Sequence, residues 1–168
     1  MRIALALAAF ALGGCATAGG LARVSPHVGR PLVLTAPGLD GKTVDVAAEQ
    51  GKVRVVDFWA TWCEPCKEEL PALDKLARQH AGRGLAVYGV SFDEDREQIP
   101  EFLARLAVSF PILWDRGGDR LSQQYGVARL PTTLIVDRRG FIRFVHEGWS
   151  ESRAAEQRRE VELLLEER

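Results

Sequence analysis

Residues 53–79 read VRVVDFWATWCEPCKEELPALDKLARQ, and the fold turns on what happens between Trp59 and Cys66. Val53 to Trp59 form a nearly continuous β-branched and aromatic run, the composition of a strand covered on both faces. From Pro65 to Gln79, Leu70, Leu73, Leu76 and Ala77 recur at helical spacing, and Gly82 and Gly84 stop the pattern. Two thiols, Cys63 and Cys66, therefore stand where a strand becomes a helix. Cys63 falls at the junction, where unpaired amides and the positive end of the helix dipole favour a thiolate. Cys66, about one turn inside, lies on the same helical face and can resolve a disulfide formed at Cys63. Pro65 suits the first helical turn, because its missing N–H would have had no partner there. A loop this short restrains the unfolded chain little, so a purely structural staple explains the pair poorly and reactive use explains it better.

Upstream, PLVLTAPGLDGKTVDVAAEQGK (31–52) carries two short alternating stretches, Leu32 to Leu34 and Thr43 to Val46, around a turn with Asp40-Gly41. That pattern predicts a hairpin. Downstream, LAVYGVSF (85–92) reads as a second buried strand. EQIPEFLARLA (97–107) reads as a helix with Ile99, Phe102, Leu103 and Leu106 on its apolar face. FPILW (110–114) predicts a short strand, and RLSQQYG (120–126) a short helix closed by Gly126. TTLIVD, RRG and FIRFVHEG (132–148) predict a terminal hairpin, and residues 150–168 a last amphipathic helix whose charge run reads as a solvated face. The expected class is α/β, a mixed central sheet between helices, with an N-terminal hairpin and no internal repeat.

The chain has 168 residues and 46% hydrophobic content, which suits one globular domain plus a leader. With a formal net charge of -1 and scattered basic residues, it lacks the electrostatic footprint of a nucleic-acid binder. MRIALALAAFALGGCATAGG (1–20) has Arg2, an apolar stretch from Ile3 to Leu12, then small residues. It is too short to span a bilayer and has the layout of a secretory signal. Leu12-Gly13-Gly14-Cys15 resembles the lipobox of bacterial lipoproteins, in which the peptide is cut before a cysteine that carries the lipid. The expected organisation is a signal peptide over 1–14, a flexible tether over 15–28 and a folded domain over 29–168. The chain holds three cysteines. Lipidation of Cys15 accounts for the odd one, leaving Cys63 and Cys66 as a pair in a compartment where disulfides persist.

VVDFWATWCEPCKEELP (55–71) and GVARLPTTLIVDRRGFI (126–142) resemble the thioredoxin superfamily. With the preceding hairpin and the extra helix and strand between Glu97 and Trp114, the chain is similar to the TlpA/ResA-like membrane-anchored thiol-disulfide oxidoreductases, over roughly residues 29–168. The resemblance implies a thioredoxin-like fold and a catalytic dithiol, Cys63 and Cys66, that cycles through a redox-active disulfide. It implies that Asp57 accepts the proton of Cys66, a role consistent with the cost of placing a carboxylate inside an apolar strand. Plain thioredoxins pair that aspartate with a lysine on the next strand, and LAVYGVSF has none. Glu69 matches a glutamate near the active site of ResA-type members, where it would tune a thiol or shuttle a proton, and by residue type it reads equally as an exposed surface glutamate. Pro131 matches a cis-proline facing the thiols, Leu130 would offer backbone hydrogen bonds to an extended substrate, and Trp62 would form an apolar rim. Trp59, alternating with Asp57, fits the core; Pro71 matches a helix proline; Glu64 would tune potential, and Glu68 reads as surface.

The function that this resemblance implies is a lipid-anchored oxidoreductase on the periplasmic side of a bacterial envelope. It would act as a monomeric reductant, needing no cofactor or metal, with disulfide-containing proteins as substrates and a membrane thiol relay as electron donor. Clients would be apocytochrome c, an oxidase-assembly protein or oxidised envelope proteins. Two other readings compete. A copper-binding assembly factor would need a histidine beside the thiols, and His27, His80 and His146 have no such spacing. A thiol peroxidase usually shows Pro-x-x-x-Thr-x-x-Cys, a pattern broken here before Cys63.

Overall fold

The computed structural model describes residues 25–167, so the expected signal peptide, Cys15 and most of the tether lie outside the described residues. A hairpin of β1 (Thr35–Pro37) and β2 (Thr43–Asp45) leads into β3 (Val53–Trp59), α1 (Cys66–His80), β4 (Leu85–Ser91), α2 (Ile99–Leu106) and β5 (Ile112–Trp114). Then come α3 (Leu121–Tyr125), β6 (Thr132–Val136), β7 (Ile142–Glu147) and α4 (Glu151–Glu166). The main sheet has the order β5-β4-β3-β6-β7. β3 runs parallel to β4 and antiparallel to β6. This is the expected mixed sheet.

Every residue of β3 is buried, as its continuous apolar composition predicts. Alternation along the strand divides the core in two. Val53, Val55 and Trp59 pack with Leu70 and Leu73 of α1, Phe102 of α2 and Val161 and Leu164 of α4. Val56 and Phe58 point the other way, onto Leu32, Leu34 and Tyr125. Trp59 is fully buried and stacks on Phe102 with ring centroids 5.6 Å apart. Gly89 of β4 makes room for it, since a Cβ there would lie 2.8 Å from Trp59 Nε1. On the other face, Arg54 is buried and holds three carbonyls. Its Nη1 donates to Val46 and Ala47, and its Nη2 to Asp137.

Two local expectations need correcting. The first strand of the hairpin is Thr35–Pro37, later than the predicted Leu32 to Leu34. Leu32 and Leu34 are buried, so their alternation records burial and not pairing with β2. The Leu32 amide donates to the Gly140 carbonyl, and the Leu34 carbonyl accepts from the Val46 amide. The second correction concerns α1, which starts at Cys66 with Pro65 as its cap. Cys66 is thus the first helical residue, not one turn inside. The Cys66 amide donates to the Cys63 carbonyl across a tight turn that precedes the regular helix.

Candidate active site

The C-terminal ends of the parallel strands β3 and β4 carry the loop that presents the thiols. Asp93, fully buried just beyond β4, anchors this loop. Thr61 donates to it through its amide, at 3.1 Å from each carboxylate oxygen, and through its hydroxyl at 2.6 Å. Ser91 donates to the same carboxylate at 2.7 Å, and the Trp114 indole donates to the Asp93 carbonyl. Asp93 escaped the sequence reading. The available signal was an acidic residue at the end of a buried strand beside the thiol-bearing one.

Cys63 and Cys66 form a disulfide, with sulfurs 2.02 Å and Cα atoms 5.4 Å apart. The two differ in access: Cys63 is 5% exposed and Cys66 0%. Trp62 next to them is 68% exposed, which places it on the surface, whereas Trp59 is core. The Leu130–Pro131 bond is cis. Leu130 packs on the apolar cluster that includes both cysteines, and the Pro131 carbonyl accepts from the Gly148 amide at 2.7 Å. Glu64 is exposed and pairs with Lys67. Glu68 is exposed too and accepts a hydrogen bond from the Trp149 indole at 3.2 Å.

Asp57 and Glu69 are both fully buried and meet through Thr133 of β6, the residue in register with Asp57. The Thr133 hydroxyl lies 2.8 Å from Glu69 Oε1 and 3.3 Å from Asp57 Oδ1. Gln157 of α4 donates to Glu69 Oε1 at 2.9 Å and to Thr133 Oγ1 at 3.1 Å. Among the described residues, Asp57 Oδ2 and Glu69 Oε2 have no hydrogen-bond partner. Burial, and then the charge of Glu69, pushes the Asp57 carboxyl well above the usual carboxylate range. Burial also raises Glu69, opposed by its bonds from Gln157 and Thr133. Two buried carboxyls bridged by one hydroxyl resist carrying charge together and titrate as a pair. Glu69 stands one helical turn after Cys66 on α1, and both residues are buried. Among the described residues, no group of three His, Cys, Asp or Glu side chains is arranged to hold a metal ion.

Comparisons with known proteins agree with this geometry. The model of the AhpC/TSA family matches residues 30–145. The chain is 35% identical over 127 residues to the thioredoxin-like protein YneN of Bacillus subtilis, covering 74% of this chain and 73% of that one. It is 33% identical over 110 residues to the thiol-disulfide oxidoreductase ResA of Halalkalibacterium halodurans, covering 66% of this chain and 62% of that one. The match thus spans a little under two thirds of ResA. Among solved structures, a candidate thiol:disulfide interchange protein DsbE from Chlorobium tepidum is similar with a TM-score of 0.76 and 25% identity, covering 83% of this chain and 97% of that one. Mycobacterium tuberculosis DsbF is similar with a TM-score of 0.70 and 29% identity, covering 79% of this chain and 96% of that one.

Proposed function

The chain belongs to the AhpC/TSA family and is a thiol-disulfide oxidoreductase, and from that premise we propose that it is a lipid-anchored reductant of protein disulfides on the periplasmic side of the bacterial cell envelope. The observation that carries this reading is the Cys63–Cys66 disulfide with only Cys63 reaching the surface, beside exposed Trp62. In the reduced enzyme the Cys63 thiolate attacks a substrate disulfide. A Cys63–substrate disulfide forms, and the first substrate sulfur leaves as a thiolate that takes up a proton. Cys66 gives its proton to Asp57, and its sulfur attacks Cys63 Sγ. The Cys63–Cys66 bond forms, the bond to the substrate breaks, and the second substrate sulfur leaves as a thiolate that takes up a proton. The substrate gains two electrons, and a membrane dithiol donor restores the enzyme by the same exchange in reverse.

Trp62, Leu130 and the cis-Pro131 loop would receive an extended stretch of the client. Anchoring through Cys15, beyond a signal peptide over 1–14 and a tether over 15–28, would hold the domain at the membrane. One acyl chain binds only marginally, so the full lipid modification is what makes the anchoring stable. Apocytochrome c, an oxidase-assembly protein and oxidised envelope proteins are the client classes that the family resemblance implies. The test is reduction of insulin disulfides, with Cys63→Ser inactive and Cys66→Ser still forming mixed disulfides. A Cys63→Ser variant that keeps activity would overturn the reading.

A further inference from the structure

α4 buries Gln157, Val161, Leu164 and Leu165 at helical spacing, and of these four Gln157 alone is polar. An amide nitrogen has two protons to give and nothing to accept. The oxygen of Thr133 therefore receives a proton from Gln157, and its own hydroxyl proton can point to only one carboxyl. Glu69 at 2.8 Å is the better acceptor than Asp57 at 3.3 Å. Glu69 Oε1 then collects two hydrogen bonds, one from Thr133 and one from Gln157. Turning the amide over would set its oxygen against that carboxylate, so the donors fix its orientation. The second lone pair of Thr133 is left to accept from a protonated Asp57.

We propose that Gln157 is a positioning residue of the redox centre: with Thr133 it forms a directed hydrogen-bond bridge that keeps the proton shared by the two buried carboxyls on Asp57 until Thr133 relays it to Glu69. In the relay, Asp57 gives its proton to Thr133 Oγ1 as Thr133 gives its own to Glu69. One proton moves in all, and Asp57 is freed to take the proton of Cys66. The inference rests on the reading that these carboxyls serve the resolving step. Two basic groups facing Glu69 bias the pair the same way. His146 of β7 is in register with Thr133. Its Nε2 lies beside Glu160 and its Nδ1 4.0 Å from Glu156. His146 and Arg153 both favour charge on Glu69. At Asp57, the charge of Glu69 works against ionisation.

The test follows release of a mixed disulfide by stopped flow from about pH 5 to 9, a range that spans raised carboxyls and thiols. Carbon-13 NMR titration of both carboxyls in the oxidised protein runs alongside. Gln157→Leu removes a hydrogen bond to a charged group, so the acid limb of release and the Glu69 titration should both move up by about one pH unit. Thr133→Val, close in shape, should slow release at least about tenfold by cutting the relay, and Thr133→Ser should restore it. If Gln157→Leu does not fold, this valine and serine pair decides alone. Asp57→Asn removing the acid limb, while Gln157→Leu leaves both limb and Glu69 titration in place, overturns the inference and spares the role of the carboxyls. A limb that neither Asp57→Asn nor Glu69→Gln moves overturns both.

Discussion

Asp57→Asn separates two effects of one buried carboxyl. Asp57 is fully buried and, among the described residues, has a single 3.3 Å contact from Thr133 on one oxygen and no partner on the other. As a base it should matter only after the first exchange, because Cys63 attacks as a thiolate already formed, whereas Cys66 must lose a proton. Removing a positioned general base costs roughly 10²–10⁴ in rate. Glu69 remains within reach through Thr133, so a loss near the lower limit is expected, about 100-fold in release at neutral pH. Stability should move the other way. The folded pKa of Asp57 lies above its unfolded value, so the folded state holds more protons in the window between the two. Its stability therefore falls as pH climbs through that window. Asparagine has no such proton to lose, so the variant should lose this part of the slope. Above the window it should gain on the order of 1–2 kcal/mol, the scale of one poorly satisfied buried polar group. Stopped-flow reduction of a model disulfide and urea melts of the oxidised protein across the pH range measure both. An unchanged release step would show that Asp57 accepts no proton, and a wild-type stability slope would contradict the burial argument.

Three further outcomes are expected. Trp59→Ala should destabilise the oxidised protein by about 3–5 kcal/mol in urea melts, because it empties a fully buried aromatic site where β3 meets α2. Asp93→Ala should cost about 2–3 kcal/mol and slow mixed-disulfide formation, with Asp93→Asn recovering part of both, since the side chain carries the Thr61 amide and hydroxyl and the Ser91 hydroxyl. Cys15→Ala should abolish fatty-acid labelling and release the protein from membranes; normal retention of that variant would end the lipoprotein proposal.

The strand-to-helix junction was legible because its signals reinforce each other: a run of Val, Phe and Trp too apolar for an edge strand, then leucines at helical spacing. The burial of Trp59 followed from the same alternation. The hairpin was legible in kind but not in position, because Leu32 and Leu34 alternate to cover a core face without pairing to β2. Glu69 could have been solvent-exposed on sequence grounds. Its burial is decided by β6 and α4, whose Thr133 and Gln157 supply hydrogen bonds across 64 and 88 residues of chain. Gln157 shares the buried face of α4 with Val161 and Leu164, yet the surrounding charges hide that face and give the helix a solvated look. Asp93 offered only its place at the end of a buried strand as a signal, because its partners Thr61 and Trp114 lie 32 and 21 residues away. Local periodicity reports which face is buried. Which polar groups meet there depends on the packing of distant segments.

The most direct test of the account is to react the reduced Cys66→Ser protein with a disulfide-containing protein and map the resulting bond by mass spectrometry under non-reducing conditions. The account predicts a stable mixed disulfide through Cys63, formed at the wild-type rate of first attack, and no adduct with Cys63→Ser. An adduct carried by Cys66 in the Cys63→Ser protein, or none with either variant, would contradict it.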